Sequence, residues 1–150
     1  MRMSSGFYLI NKIFVIIFMS EWTFRDYQRP STDGTKRILV NEILAWTSGL
    51  PKRAQARIDT MIITLQAFPV IPPQYISDCG YKDIWEIRAG SGGVEYRPLG
   101  CYGPGRRVFT LLIGTIEKDG KIPAGDGASA VHRRKRVIEE GWPTCEHEFT

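Results

Sequence analysis

Two arginines lie close together in a stretch of alternating apolar and polar residues, IWEIRAGSGGVEYRPL at residues 84–99. Arg88 ends the first alternation and Arg97 lies within the second, with a Gly-Ser-Gly-Gly turn between them. Because side chains alternate between the faces of a strand, both guanidiniums are expected on one sheet face, opposite Trp85 and Tyr96. Two arginines on one face can hold a phosphate bidentately, and neither loses its charge near neutral pH.

The same pattern also has a purely structural explanation. Arg88 and Arg97 could pair across the strands with Glu86 and Glu95, and such pairing needs no ligand. Glu86 could instead serve as a base, although pairing with Arg88 accounts for it equally simply. The residue types therefore leave two alternatives open, a phosphate site and a solvated network of ion pairs.

Two further basic segments are candidates for contact with a polyanion. The segment GCYGPGRR at 100–107 lacks the G-x-x-x-x-G-K-[ST] spacing of a phosphate-binding loop, so it predicts a hairpin turn. In that turn Arg106 and Arg107 would flank the sheet edge and could contact an RNA backbone. The run HRRKR at 132–136 fits either a solvated helix face or a polyanion contact.

The histidines and cysteines give no sign of a metal or cofactor site. His132 and His147 have no motif partner and are predicted to be surface residues. The three cysteines have no close pair, which favours a reducing compartment without disulfides. Cys145 and His147 would supply only two of the ligands that a zinc site needs, so neither a metal nor a cofactor is expected.

Length and charge predict one domain with an acidic partner molecule. The chain has 150 residues, enough for a single domain with its own core, and a net charge of +4. The basic excess is greatest over residues 81–138, whereas residues 139–150 hold four glutamates and no Lys or Arg. This distribution points to a polyanionic partner.

The N-terminal residues are apolar, but their pattern does not predict a membrane-spanning segment. The uninterrupted apolar run, Ile13 to Met19, is far shorter than the roughly 20 residues that a membrane span needs. We therefore expect a cytoplasmic protein with no membrane contact. Residues 1–20 are interpreted as an N-terminal extension that need not be native, since Met19 is an alternative start. Residues 21–142 are expected to form the domain, and 143–150 an acidic tail.

Hydrophobic periodicity divides the domain into strands and helices. Breaks rich in turn residues are predicted at 29–34 and 68–80. The predicted elements are strands at 22–28, 84–88, 94–99 and 108–114, and helices at 38–50, 52–68 and 129–140.

This order predicts an α+β fold: an N-terminal strand and a helical hairpin packed on a small antiparallel sheet, with a C-terminal helix. We expect the helices on one sheet face, and the two arginines on the other, partly uncovered face. Pro98 cannot donate a hydrogen bond to a neighbouring strand, so its strand is expected to be bulged or partly an edge there.

Beyond these patterns, the sequence resembles a known toxin superfamily. The stretch DIWEIRAGSGGVEYRPL, the stretch YGPGRRVFTLLIGTIEKDGKIP and the basic helix that follows resemble the RelE/HigB toxins, in particular the phage-derived branch of HigB-type toxins. The resemblance covers roughly residues 21–140. It implies a RelE-like fold and a metal-independent endoribonuclease, an mRNA interferase that cuts mRNA in the ribosomal A site. It also implies neutralisation by a cognate helix-turn-helix antitoxin.

The resemblance also implies roles for particular residues. Attack of a ribose 2′-OH on the adjacent phosphate needs charge stabilisation and proton transfer. Four residues match the expected catalytic positions: Arg88, Tyr96, Arg97 and Lys118. Five more are expected to bind RNA: Tyr102, Arg106, Arg107, Arg133 and Arg134.

Three residues depart from the superfamily pattern. Pro98 replaces an apolar strand residue, Ile116 replaces a phenylalanine, and Glu117 replaces the first lysine of a Lys-Lys pair. The loss of one cation keeps two alternatives open. One is a catalytically weak RNA- or protein-binding module on the same fold, and the other is a phage accessory protein.

Overall fold

The computed structural model describes residues 22–150, so the predicted extension at 1–20 lies outside the described residues. The observed class is α+β, as the sequence predicted. None of the helices within 22–150 combines the length and the hydrophobicity that crossing a membrane requires. The elements are β1 (Thr23–Asp33), β2 (Lys36–Asn41), α1 (Glu42–Ser48), α2 (Lys52–Gln66), β3 (Ile76–Asp78), β4 (Trp85–Ile87), β5 (Ala89–Ser91), β6 (Val94–Tyr102), β7 (Val108–Ile116), α3 (Ala124–Glu139) and β8 (Thr144–Glu146).

The strands form one mixed sheet in the order β2-β1-β7-β6-β4-β3, with β5 also paired to β6 and β8 to β1. Strand β1 runs parallel to β7, and the other pairs of described strands are antiparallel. The sheet is therefore mixed, where a small antiparallel sheet was expected. Parallel pairing is possible because the connection from β1 to β7 is long and contains α1, α2 and the strands β2 to β6.

Helices α1 and α2 cover one face of the sheet. Helix α1 begins after Asn41, whose side chain accepts a hydrogen bond of 2.9 Å from the Leu44 amide. The apolar stripe predicted on α2 is buried as expected and comprises Ala54, Ile58, Met61, Ile62 and Leu65. Trp46 of α1 lies against Gly114 of β7, where a Cβ atom would overlap the indole ring.

Helix α3 covers the opposite face, so the expectation of helices on one face alone is wrong. A second core cluster on that side includes Leu112 of β7 and Ala130 and Val137 of α3. Leu111, the neighbour of Leu112, is buried in the first cluster instead. Because β7 is apolar on both sides, only a helical layer on each face removes all of it from water.

The N-terminal hairpin differs most from the prediction. The predicted turn at 29–34 is mainly strand, because β1 continues to Asp33 and pairs with β2 from Gln28↔Asn41 to Asp33↔Lys36. The reversal occurs around Gly34, whose φ of +62° favours glycine. Consequently the first part of the predicted helix at 38–50 is strand, and the helix itself is only Glu42–Ser48. Tertiary pairing with β1 outweighed the helical spacing of the apolar residues.

The C-terminal segment, predicted to be an acidic tail, packs on the sheet. Strand β8 pairs antiparallel with β1, and the following residue, His147, is buried with 7% of its surface exposed. The Nδ1 atom of His147 lies 2.8 Å from Oδ1 of the fully buried Asp26, and Asp26 also accepts a hydrogen bond from Asn41. The prediction that His147 is a surface residue is therefore wrong, because a buried carboxylate holds it.

Candidate active site

An open cavity of about 550 Å³ lies on the face that α3 covers. Its floor is formed by β4 and β6, and its walls by the loop before β4 and the loop between β7 and α3. We refer to it as the arginine cleft. Its lining residues are Asp78, Cys79, Gly80, Tyr81, Glu86, Arg88, Arg97, Glu117, Gly120, Lys121 and Ile122.

Arg88 and Arg97 both line the arginine cleft, so the predicted convergence of the two guanidiniums is confirmed. Arg88 follows β4 and has 56% of its side chain exposed. Its Nε atom donates to Ser77 Oγ at 3.3 Å and lies 3.7 Å from a carboxylate oxygen of Glu86. These contacts leave most of the Arg88 guanidinium available to a ligand.

Arg97 is held quite differently, because only 8% of its side chain is exposed. Its guanidinium lies 2.8 Å from Glu95, 3.0 Å from Glu117 and 3.9 Å from Glu86. The expectation of an exposed Arg97 is therefore wrong. Arg97 is buried because strand β6 runs through the middle of the sheet. Its three carboxylate neighbours compensate the desolvation cost of burying the charge.

The cleft as a whole carries almost no net charge. Its acidic lining residues are Asp78, Glu86 and Glu117, and its basic lining residues are Arg88, Arg97 and Lys121. Glu86 is the most central of the carboxylates, since it lies within 4 Å of both arginines and accepts a hydrogen bond from Ser77. A carboxylate fixed beside two cations can accept a proton while the cations stabilise developing negative charge.

Lys118 lies just outside the cleft lining. The backbone of Lys118 pairs with that of Lys121 across the Asp119-Gly120 turn, and Lys121 reaches the lining in its place. Lys121 was not among the predicted site residues. The Asp-Gly dipeptide is a strong signal for a tight turn, and it could have predicted that the two lysines lie together.

The two candidate tyrosines lie away from the cleft. Tyr96 is 5% exposed and packs on the other face of the sheet, with its ring 6.5 Å from that of Trp46. Tyr102 lies at the far end of β6, against Trp85 and Phe109. Burial raises the pKa of Tyr102 above its usual value. The Arg97 guanidinium donates a hydrogen bond to the Tyr96 carbonyl, but neither tyrosine lines the cleft with Arg88 and Arg97.

The predicted RNA-binding arginines are spread over three places. Arg106 is exposed in the turn between β6 and β7, and Arg107 accepts a backbone hydrogen bond from Thr23 in the same turn. On α3, Arg133 bonds the Leu112 carbonyl at 2.9 Å, and Arg134 lies 3.6 Å from Asp83. None of these four residues lines the arginine cleft.

The wall of the cleft depends on close contact between a loop and a helix. The ring of Tyr81 lies against Gly127 of α3, where a Cβ atom would overlap it. Cys79, beside Tyr81, is partly buried, and desolvation raises the pKa of its thiol. Within residues 22–150, no three His, Cys, Asp or Glu side chains lie together as metal ligands do.

One protein family matches the larger part of the chain. The family model described as "Phage derived protein Gp49-like (DUF891)" matches residues 45–135, which is more than half of the chain. The matched range includes every residue that lines the arginine cleft. No curated protein and no solved structure matches the chain.

Proposed function

The chain belongs to the phage-derived Gp49-like family, part of the RelE-like grouping of type II toxin–antitoxin proteins, and from this premise we propose that it is a toxin of the HigB type. The proposed activity is cleavage of translated mRNA in the ribosomal A site by a metal-independent endoribonuclease. The proposed partners are the ribosome, its mRNA and a helix-turn-helix antitoxin, all in the cytoplasm.

One observation carries the proposal: the arginine cleft gathers Arg88, Arg97, Lys121 and Glu86 in a cavity large enough for a nucleotide. In the proposed reaction a ribose 2′-OH attacks the adjacent phosphorus, and the bond to the 5′-oxygen of the next nucleotide breaks. The products are a cyclic 2′,3′-phosphate and a free 5′-OH. The protein must accept the hydroxyl proton, stabilise the phosphate charge and protonate the leaving oxygen.

The geometry supports a division of these roles. Glu86 is the candidate base, and the exposed Arg88 is the candidate group that contacts the phosphate. Lys121, with Lys118 beside it, is suited to protonating or stabilising the leaving oxygen. Arg97 is a positioning residue in this scheme, because it reaches Glu86 and Glu117 and is itself almost fully buried. Binding of the mRNA by the ribosome would supply much of the orientation that the reaction needs.

The charge balance favours one alternative function. Three carboxylates neutralise Arg97, and a neutral cleft attracts a phosphate less strongly than a basic one. This observation suits a catalytically weak module that binds RNA or protein on the same fold. Cleavage measured directly separates the two functions.

The test is induced expression of the full chain in bacteria, with mapping of 5′-OH ends on a reporter mRNA. One reporter keeps its start codon and the other lacks it. The proposal predicts growth arrest, and cuts within the translated frame only where the start codon is present. Arg88→Ala should reduce cleavage roughly 100- to 1000-fold, the usual effect of removing one group that stabilises the transition state.

Arg37→Ala is the matched control, because Arg37 is an exposed arginine of β2 outside the cleft. It should cleave at the rate of the unaltered chain. Growth at the uninduced rate, with soluble protein confirmed, would refute the toxin proposal. RNA binding without cuts would support the binding module instead.

A further inference from the structure

A second cavity, of about 470 Å³, lies between β1 and α3, away from the arginine cleft. We refer to it as the basic pocket. It includes three arginines and a histidine but no acidic residue among its lining residues, which are Tyr27, Arg29, Pro30, Ala128, Ser129, His132, Arg133 and Arg136. Of these, Arg133 was predicted to bind RNA, and His132 and Arg136 belong to the run at 132–136 that was predicted to be either a solvated helix face or a polyanion contact.

Aromatic rings and hydrogen bonds hold two of the arginines in place. The Arg136 guanidinium lies 4.4 Å from the ring centre of Trp142 and donates a hydrogen bond of 3.0 Å to the Tyr27 hydroxyl. The Arg133 guanidinium lies 4.9 Å from the ring centre of Tyr27 and bonds the Leu112 carbonyl. Side chains that are already immobilised lose little conformational entropy when they bind a ligand.

The charges of the pocket do not balance. Arg29 and Arg133 share one carboxylate, that of Glu42, at 2.8 Å and 3.2 Å. Among the described residues, no carboxylate lies within ion-pair distance of Arg136. Three guanidiniums therefore face one carboxylate, which leaves a formal excess of two positive charges. Guanidinium groups in this arrangement match the oxygens of a phosphate group.

We propose that the basic pocket binds backbone phosphates of RNA and is a second RNA contact, separate from the arginine cleft. The pocket is open, with 44% of the Arg29 side chain exposed, and it lies along α3 beside the basic run at 133–136. The successive phosphates of a single-stranded RNA can bind along such a surface, whereas one inorganic phosphate can contact only the pocket. The assignment of RNA rests on the proposed function, whereas the affinity for phosphate groups does not.

Trp142 provides a reporter, because its ring packs against Arg136 at the pocket. The full chain is labelled with fluorotryptophan, and its four tryptophans are followed by fluorine NMR. The probes are inorganic phosphate and a ten-nucleotide single-stranded RNA with 2′-O-methyl groups. That RNA has no nucleophilic 2′-OH and cannot be cut by the proposed reaction, so binding is measured without catalysis. Trp142→Phe assigns the resonance.

The RNA is expected to shift the Trp142 resonance at much lower concentration than inorganic phosphate does. Arg29→Ala should weaken RNA binding roughly five- to tenfold and reduce the slope of log affinity against log salt by about 0.7. Arg136→Lys keeps the charge but loses the planar group, and it should weaken binding as well. Arg37→Ala, an exposed arginine outside the pocket, is the control and should change the affinity less than twofold.

Two results would overturn the inference: RNA binding that leaves Trp142 unmoved, or equal effects of Arg29→Ala and Arg37→Ala. Saturation by inorganic phosphate with no tighter binding of RNA would overturn the assignment to RNA. Failure of this inference and failure of the proposed function can be distinguished. If the pocket binds RNA but cells show no mRNA cuts, the proposed nuclease fails and this inference stands.

Discussion

The arginine cleft and the basic pocket both gather arginines around a cavity, but their charge balance is opposite. In the arginine cleft, Arg97 is buried among three carboxylates, and the lining residues are balanced in charge. In the basic pocket, Glu42 pairs with Arg29 and Arg133, and Arg136 has no carboxylate partner among the described residues. Arginines at a suitable spacing therefore do not by themselves give a cavity a net positive charge. The carboxylates that other elements bring to them decide the net charge.

The two regions also differ in how their arginines are supported. Carboxylates hold Arg97, so its removal leaves negative charges without a partner. Rings and neutral oxygens hold much of Arg133 and Arg136, so their positive charge stays available for a ligand. Arg97 is therefore expected to matter most for stability, and the arginines of the basic pocket most for binding. Four predictions, from the largest expected effect to the smallest, test this difference.

Arg97→Ala should lower the free energy of unfolding by about 3 kcal/mol. This is the lower end of the range for breaking a buried ion pair, because the Glu95 partner is half exposed. Urea denaturation followed by circular dichroism measures the change. Arg88→Ala is the matched control in the same cleft, and its exposed ion pair predicts a loss of at most about 1 kcal/mol. Equal losses for the two variants would contradict the assignment of Arg97 as a buried arginine that the carboxylates hold in place.

Gly127→Ala should perturb the arginine cleft and leave the basic pocket intact. The new Cβ atom would overlap the Tyr81 ring in the cleft wall, and overpacking of this kind costs about 1–3 kcal/mol. Thermal denaturation measures stability, and the fluorotryptophan titration reports the basic pocket. Gly125→Ala, two residues earlier on α3, meets nothing within 4 Å and should stabilise by up to about 1 kcal/mol. Similar stability of the two variants would show that the Tyr81 contact is loose.

Glu117→Gln should make the arginine cleft more like the basic pocket. Removal of a carboxylate 3.0 Å from Arg97 leaves the cleft with a net positive charge. We expect mRNA cleavage to rise about tenfold, equivalent to about 1.4 kcal/mol of added stabilisation of the phosphate charge. Glu42→Gln is the corresponding change at the basic pocket. It should tighten RNA binding there without increasing the cleavage rate of bound mRNA. A drop in cleavage for Glu117→Gln would mean that Glu117 takes part in the reaction.

Cys79 supplies the mildest probe, because it lines the arginine cleft and the basic pocket contains no cysteine among its lining residues. Burial raises the pKa of Cys101 to about 12 and also raises the pKa of Cys79 above its usual value. Because only the thiolate reacts, alkylation of Cys79 should still rise tenfold per unit between pH 7 and 8.5, and Cys101 should not react in the folded protein. Mass spectrometry after timed iodoacetamide treatment measures both. RNA bound in the arginine cleft should slow the labelling of Cys79, whereas RNA in the basic pocket alone should not.

Much of the fold could be predicted from local patterns. The amphipathic stripe of α2, the apolar strand β7 and the alternation around Arg88 and Arg97 each follow from side-chain periodicity within one element. The expected irregularity at Pro98 is also observed. The pairing of β6 with β4 ends at Glu86↔Leu99 and that with β5 resumes at Ala89↔Tyr96, which leaves Pro98 opposite the break.

The surroundings of the candidate site could not be predicted in the same way. Glu117 and Lys121 reach the arginine cleft from the loop after β7, and α3 covers a face that was expected to be open. The basic pocket joins β1 to α3, more than 90 residues later in the chain. The periodicity within one element cannot predict which residues of other elements lie beside it, because this depends on the packing of elements far apart in sequence.

The sequence by itself determined the α+β class, the main helices and strands, and the common face of Arg88 and Arg97. These depend on hydrophobic periodicity and chain chirality, which act over a few residues. Only the tertiary structure decided that Arg97 is buried and balanced, that His147 is buried on Asp26, and that a second basic cavity exists. Burial and net charge are properties of all the groups around a side chain. The parallel pairing of β1 with β7 and the position of α3 bring those groups together.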